Sequence, residues 1–322
     1  MSRITNITGI SLPLAVWLAT SEYDFSAAGR KAISATTFLK PVRQILLRER
    51  LTPETRITPD VSDFIASRLG HSIHDSIERS WTNNAHQALS LLGLPDKIVK
   101  NLEVNPEKPD PTKIQVWLEQ RVEREFMGYI ISGKFDMVLD GELQDFKSTS
   151  TFSFTKGSKD EDYRAQGSLY RWLNPERITR DHMNIQFIFT DWQKARAKAD
   201  PNYPQQRVLE HRIELMSLEE TEAWMRRKIL ELEAAANLPE DQLPPCSDKD
   251  LWRGETVYKY FADPAKIDGK STKNFDTMPE AQAYMSSKGG KGVIITFPGK
   301  VKACGYCPAF PICTQKDQYE HG

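Results

Sequence analysis

"GKFDMVLDGELQDFKST", residues 133–149, sets two aspartates and a lysine into what otherwise alternates as a β-hairpin. Asp140-Gly141 is the strongest short-range signal for a two-residue type I′ turn, and it puts Leu139 opposite Glu142. Counting outward, Met137 faces Gln144, Asp136 faces Asp145 and Phe135 faces Phe146, while period-2 alternation carries Lys147 to the side of Asp145. Cβ atoms of such a pair lie about 5 Å apart, and like charges there are destabilising unless something cationic sits between them. The register therefore predicts a divalent ion at Asp136 and Asp145, with the peptide carbonyl of Phe146 as a further ligand and Lys147 beside it. A lone D-x-K also fits the wet face of an ordinary hairpin. The second aspartate opposite the first tips the reading toward a cation site.

The chain has 322 residues, enough for one large domain or two ordinary ones, with 43 basic and 44 acidic residues and a net charge of −1. That balance neither marks nor excludes a nucleic-acid partner, so local patches must decide. No apolar run reaches the roughly 18 residues needed to cross a bilayer. "ISLPLAVWLA" (10–19) lacks a basic leader and a clear cleavage site, so a soluble, unsecreted, cytoplasmic protein with no membrane partner is expected. Four cysteines in such a chain argue against a disulfide framework and for free thiols or a metal site.

Along the chain, "SATTFLKPVRQILLRER" (34–50) reads as a basic amphipathic helix interrupted by Pro41. From Asp60 a longer helix follows, since Val61, Phe64, Ile65, Leu69, Ile73, Ile77 and Trp81 recur at three- and four-residue spacing. Beside that stripe Gly70, His74 and Glu78 stand one turn apart, with Gly70 clearing room for another backbone. A proline-rich connector (105–113) and "IQVWLEQRVEREF" (114–126) precede the hairpin. A helix is predicted over 161–173, strands at "MNIQFIFTDW" and "RVLEHRIEL", and a helix over 217–237 opened by a Ser217 to Glu220 capping box. "LPEDQLPP" (238–245) reads as a linker. Beyond it, "TVYKYF", "TKNFD", "PEAQAYMSSKG" and "GVIITF" predict a strand, strand, helix, strand insert. The expected domains are therefore 1–237 and 238–322.

A Mg²⁺ or Mn²⁺ site of carboxylates with a lysine alongside suits phosphodiester hydrolysis, because the cation neutralises phosphate charge and the ammonium group can orient water and stabilise developing negative charge. His74 could complete the ligand shell and would make Mn²⁺ as attractive as Mg²⁺. At this point the motifs carry a family likeness. "GHSIHDSIE" (70–78) resembles the G-x-x-x-H-x-x-x-E motif of RecB-type nucleases in the PD-(D/E)XK superfamily, "GKFD" their G-x-x-D, "DFK" their D-x-K, and "QGSLY" (166–170) their Q-x-x-x-Y, in the same order. The resemblance implies a restriction-endonuclease-like α/β core with a central mixed sheet flanked by helices. It implies His74, Asp136 and Asp145 as metal ligands, Lys147 as the catalytic lysine, and Gln166 and Tyr170 near the DNA. Glu78, Glu123 or Glu125 would supply a further acid. On spacing alone, Gln166 and Tyr170 share one helix face, and Tyr170 could equally pack in the core with Leu169 and Leu173.

Cys304, Cys307 and Cys313 are spaced C-x2-C-x5-C, and with Cys246 they account for every cysteine in the chain. Four thiols hold either zinc or an iron–sulfur cluster, and spacing does not discriminate between them. The tail resembles the iron–sulfur staple of AddB-type helicase–nucleases and CRISPR adaptation nucleases, which implies a [4Fe–4S] cluster. There the partner cysteine precedes the core, whereas Cys246 follows it, so a local staple of the C-terminal α+β subdomain is expected.

These observations predict a metal-dependent deoxyribonuclease, an exonuclease acting on single-stranded DNA or duplex ends. The resemblance places it in phage or bacterial recombination, repair or replication, with a recombinase or helicase as partner. The 34–50 helix and "SSKGGKG" (286–292) are candidate phosphate contacts. Two other readings differ in class: a non-cleaving DNA-binding or scaffolding subunit, and a zinc-dependent interaction module centred on the tail.

Overall fold

Asp140 (φ 49°) and Gly141 (φ 83°) both take the positive φ of a type I′ turn, and the strands beside them pair as Leu139↔Glu142, Val138↔Leu143 and Met137↔Gln144. The hairpin next to the turn thus has the counted register. The structure, a computed structural model, describes residues 4–20, 31–156 and 159–319. It falls into two units, Met1–Leu39 with Thr58–Leu230, and Lys40–Ile57 with Glu231–Gly322. Residues 40–57 therefore group with the tail, which a single cut at 237/238 does not provide.

The first stretch forms α1 (Leu12–Ala19), β1 (Ala32–Ser34) and α2 (Ala35–Phe38), and after Pro41 comes α3 (Val42–Glu49). Proline disfavours helix in the residue before it, which is why the basic segment splits there. The long helix α4 (Ile65–Leu91) follows a 3₁₀ turn, Val61–Phe64, that Asp60 and Asp63 cap reciprocally. Next come α5 (Asp96–Lys100), β2 (Leu102–Val104), β3 (Ile114–Phe126), β4 (Tyr129–Leu139) and β5 (Glu142–Thr149). Then follow α6 (Thr151–Lys156), α7 (Asp160–Leu173), β6 (His182–Phe189), α8 (Lys194–Ala199), β7 (Val208–Glu214) and α9 (Leu218–Ala235). Ser217 and Glu220 close the expected capping box, each side chain accepting from the other's backbone N–H, at 2.8 and 3.1 Å.

In the first unit the strands form a mixed sheet in the order β2-β3-β4-β5-β6-β7, with β1 added on β4. β3, β4 and β5 run antiparallel, β5 and β6 parallel, and β6 and β7 antiparallel. The mixed α/β class is the expected one, a central mixed sheet with helices flanking it. Trp81, Ala85 and Leu89 of α4 pack with Leu102, Val116, Leu118 and Met137. Burying each such large apolar side chain stabilises by about 1.5–3 kcal/mol, an upper figure since the unfolded chain is already partly compact. The N-terminal part of the α4 stripe departs from the expectation, because Ile65 and Leu69 are 43% and 50% exposed. The apolar packing on the sheet comes from the later turns of this helix, Trp81 to Leu89.

In the second unit β8 (Val257–Phe261), β9 (Lys273–Phe275), α10 (Met278–Ser287) and β10 (Val293–Phe297) follow the strand, strand, helix, strand order read from the pattern. The strands pair antiparallel in the order β10-β8-β9. Among the described residues no helix is long and apolar enough to cross a membrane.

Candidate metal centre and a four-cysteine site

One edge of β4 is shared by two strands, β1 along Ile130–Ser132 and β5 along Met137–Leu139. Two strands cannot occupy the same stretch of edge, so β5 peels away and its ladder with β4 ends at Met137↔Gln144. This corrects the extended count: Asp136 with Asp145, and Phe135 with Phe146, are not paired positions of the ladder. A side chain takes over instead, the Phe146 N–H donating to Asp136 Oδ2 at 2.9 Å. The backbone donor that the divergence frees is thereby satisfied, and Asp136 is held at the fork.

His74 comes from α4. Its Nε2 lies 2.9 Å from the Phe146 carbonyl, and its Nδ1 lies 3.5 Å from Asp136 and 3.8 Å from Glu119. Ligand atoms of His74, Glu119 and Asp136 all fall within 4.8 Å of one another. The motifs point to Glu78, Glu123 or Glu125 as the further acid, and it is Glu119 instead that reaches the fork. Glu119 has φ 52°, strained for a residue with a Cβ, and its neighbours pair as Leu118↔Met137 and Gln120↔Phe135, which leaves it opposite Asp136. A signal existed: Met127 and Gly128 (φ 50° and 75°) form a second two-residue turn, and counting from it reaches 119 and 136 together. Met-Gly is a weak turn dipeptide, whereas Asp-Gly is a strong one.

Asp145, 1% exposed, stands outside that group and is ion-paired with Lys147. That pair is made at Oδ2, which has no other partner among the described residues. Burial pushes the Asp145 carboxyl up to about 6 against the pull of Lys147, and the nearby Asp136 charge adds to the rise. Burial works to raise Asp136 as well, but the facing His74 ring and its charge hold it below the ordinary carboxylate range. Burial depresses His74, and the facing carboxylates of Asp136 and Glu119, with the Phe146 carbonyl, more than offset this, leaving it at about 10. Burial likewise opposes the charge on Lys147, which Asp145 and Asp136 keep above the usual lysine value. The cluster is an anionic pocket crowded with cationic partners.

A divalent ion fits this donor set. The 3.5 and 3.8 Å gaps from His74 Nδ1 to the two carboxylates exceed good hydrogen-bond lengths. An imidazole nitrogen and two carboxylate oxygens within 4.8 Å of one another are a ligand set that Mn²⁺ or Mg²⁺ accepts. The Phe146 carbonyl lies at the ring's other nitrogen, Nε2, and Asp145 adds a buried carboxylate whose Oδ2 is paired with Lys147.

Tyr170, only 4% exposed, is buried, and it lines the cleft with Glu119 and Lys134. Gln166 donates to its hydroxyl at 3.0 Å. Gly133 makes room for this helix, since a Cβ there would stand 2.5 Å from Leu173 Cδ1 and 3.0 Å from the Tyr170 ring. Gly70 has no such role: a Cβ would meet only the Ser148 side chain, at an ordinary 3.5 Å, and no backbone. Glu78 lines the same cleft and is raised by burial and by the charge of Glu119. Glu123 and Glu125 pair opposite Ser132 and Ile130, further along β3 and away from the fork. The cleft, about 450 Å³, also takes in Arg68 and Arg121. One guanidinium nitrogen of Arg68 is buried with no hydrogen-bond partner among the described residues.

In the second unit, Cys246, Cys304, Cys307 and Cys313 line one small pocket, and none is in a disulfide. Burial, with Asp250 adding, pushes the Cys246 thiol up to about 12, and burial raises Cys304 and Cys307. Among the described residues, the groups whose ligand atoms all lie within 4.8 Å of one another do not include a cysteine. The other such group is Asp181, His182 and Glu214, in which both imidazole nitrogens are already engaged, by Glu142 and Asp181.

No family model matches the chain. No curated protein matches it either. Solved structures that align with it include SSO0001, 16% identical over 72% of this chain and 88% of that one, with a TM-score of 0.40. A phage-related exonuclease from Haemophilus somnus 129PT is 15% identical over 50% of this chain and 72% of its own, with a TM-score of 0.25. An alkaline exonuclease (LHK-Exo) from Laribacter hongkongensis is 16% identical over 65% and 92%, with a TM-score of 0.28.

Proposed function

We propose that this chain is a divalent-metal-dependent deoxyribonuclease with a PD-(D/E)XK-type site, acting as an exonuclease on single-stranded DNA or duplex ends. The observation that carries the reading is the fork between β4 and β5, where His74, Glu119 and Asp136 converge and the Asp145–Lys147 pair stands beside them. His74, Asp136, Glu119, Asp145 and the Phe146 carbonyl would hold Mg²⁺ or Mn²⁺, with imidazole favouring Mn²⁺. When bound, such an ion neutralises phosphate charge and lowers the pKa of a coordinated water. His74 would hold an ion only as the neutral imidazole, so the site's affinity for metal should fall as pH falls. The Lys147 ammonium group stabilises negative charge developing on the phosphate. Gln166 donates to Tyr170, which frees the phenol's own proton to donate toward a phosphate oxygen.

A digestion time course with Mn²⁺ on 5′- and 3′-end-labelled single- and double-stranded DNA tests this. Release of label that stops with chelator is expected, and no release beyond the chelator control sinks the proposal. The unpartnered Arg68 nitrogen is suited to a backbone phosphate. Arg68→Ala should weaken single-stranded DNA binding about tenfold at low salt and reduce the salt slope by about 1. Fluorescence anisotropy in chelator measures this without cleavage.

For the cysteines we infer a [4Fe–4S] cluster with a structural role. Four thiols around one pocket are the donor set of either a zinc ion or a cluster, and the resemblance of the tail to iron–sulfur staples favours the cluster. Acid-labile sulfide and iron analysis of anaerobically purified protein separates cluster from zinc.

A further inference from the structure

We propose that Arg43 is a positioning residue of the four-cysteine centre, donating a hydrogen bond directly to the Cys313 sulfur and bracing the loop that carries it. This rests on the reading of those cysteines as a metal or cluster site. Arg43 lies on α3, is 4% exposed, and has all three of its nitrogens engaged. Nε donates to Cys313 Sγ at 3.3 Å, Nη1 to the Leu243 carbonyl at 3.1 Å, and Nη2 is ion-paired with Glu240.

Glu240 in turn holds the residue after the cysteine. It accepts the Thr314 N–H at 3.0 Å on one oxygen and the Thr314 hydroxyl at 2.6 Å on the other. The next residue, Gln315, clamps the fourth cysteine: its side chain accepts the Cys246 N–H at 2.8 Å and donates to the Cys246 carbonyl at 2.9 Å. Three successive residues, 313 to 315, are thus tied to three separate segments, α3, Glu240 and Cys246. A planar guanidinium fork can serve sulfur, carbonyl and carboxylate at once, which a lysine cannot.

A donor aimed at a ligating sulfur withdraws electron density from it and fixes its orientation, the usual means by which surrounding groups tune a thiolate centre. Arg43 therefore affects both how tightly the centre is held and its electronic state. A purely structural residue would affect only the first.

The test uses the full chain purified anaerobically, comparing wild type with Arg43→Lys, Arg43→Gln and, as control on the same helix, Arg48→Gln, at an exposed position. Metal content, visible absorbance, reduction potential and release to a chelator are measured. Both Arg43 variants should release metal about tenfold faster. In whatever fraction stays loaded, the potential should fall, because the sulfur loses a donor. Arg48→Gln should match wild type. Arg43→Lys keeps the positive charge, so it covers the case in which Arg43→Gln fails to fold. In a loaded wild type, unchanged release in both Arg43 variants, or in iron-loaded protein an unchanged potential, overturns the role of Arg43 alone, and with zinc bound release is the readout. A wild type that holds neither iron nor zinc overturns the centre itself.

Discussion

Asp145→Asn is expected to lower Mn²⁺-dependent DNA cleavage by about 10³-fold, and Lys147→Ala by about 10²–10³-fold, the scale on which removing one electrostatic stabiliser acts. The two should differ in stability. Asp145 is 1% exposed and ion-paired with Lys147, so removing the lysine strands a buried carboxylate. Breaking a buried pair by deleting one partner costs about 3 kcal/mol or more. Asp145→Asn instead deletes a charge that burial already disfavours, since its carboxyl sits at about 6. It should lose activity with little loss of melting temperature. Cleavage assays paired with thermal denaturation check both halves. Undiminished cleavage in either variant would remove these residues from the chemistry, and equal stability of the two would contradict the described burial.

Gly299→Ala should be the most damaging small substitution in the second unit. A Cβ at this position would overlap the Gly254 carbonyl and sit 3.1 Å from the Glu255 oxygen. These are backbone atoms, so no side chain can swing aside. The two segments are bound together by Gly254 N–H to the Lys300 carbonyl at 3.0 Å, and by Lys302 and Ala303 N–H to the Leu251 carbonyl at 3.1 Å each. That apposition places Cys304 relative to Cys246. Overpacking commonly costs about 1–3 kcal/mol, and a backbone collision belongs at or above the top of that range. Gly299→Ala should therefore lower the denaturation midpoint and the iron or zinc content together. Gly305→Ala, with nothing within 4 Å of an added Cβ, serves as the neutral control. Wild-type stability and metal content in Gly299→Ala would show that the two backbones are not apposed.

Legible in the residues themselves are the local decisions. Asp140-Gly141 specifies its turn because few dipeptides accept two positive φ values, and Met137↔Gln144 follows within three pairs. Ser217 and Glu220 mark a helix start by reciprocal capping, and periodicity marks α4 and α7. His74 stands out as a candidate from its place one turn after Gly70, and the structure brings it to the Phe146 carbonyl. Where the hairpin register stops depends on the packed chain, because β1, far upstream, competes for the same edge of β4. Packing also turns Glu119 toward Asp136, through a strained φ that no propensity favours. It sets Arg43 against Cys313, 270 residues away. Turns and caps are chosen by the dihedral preferences of a few adjacent residues. Edge sharing, backbone strain and buried hydrogen bonds between distant segments depend on which surfaces win the competition for burial, and that is settled only when the whole chain is packed.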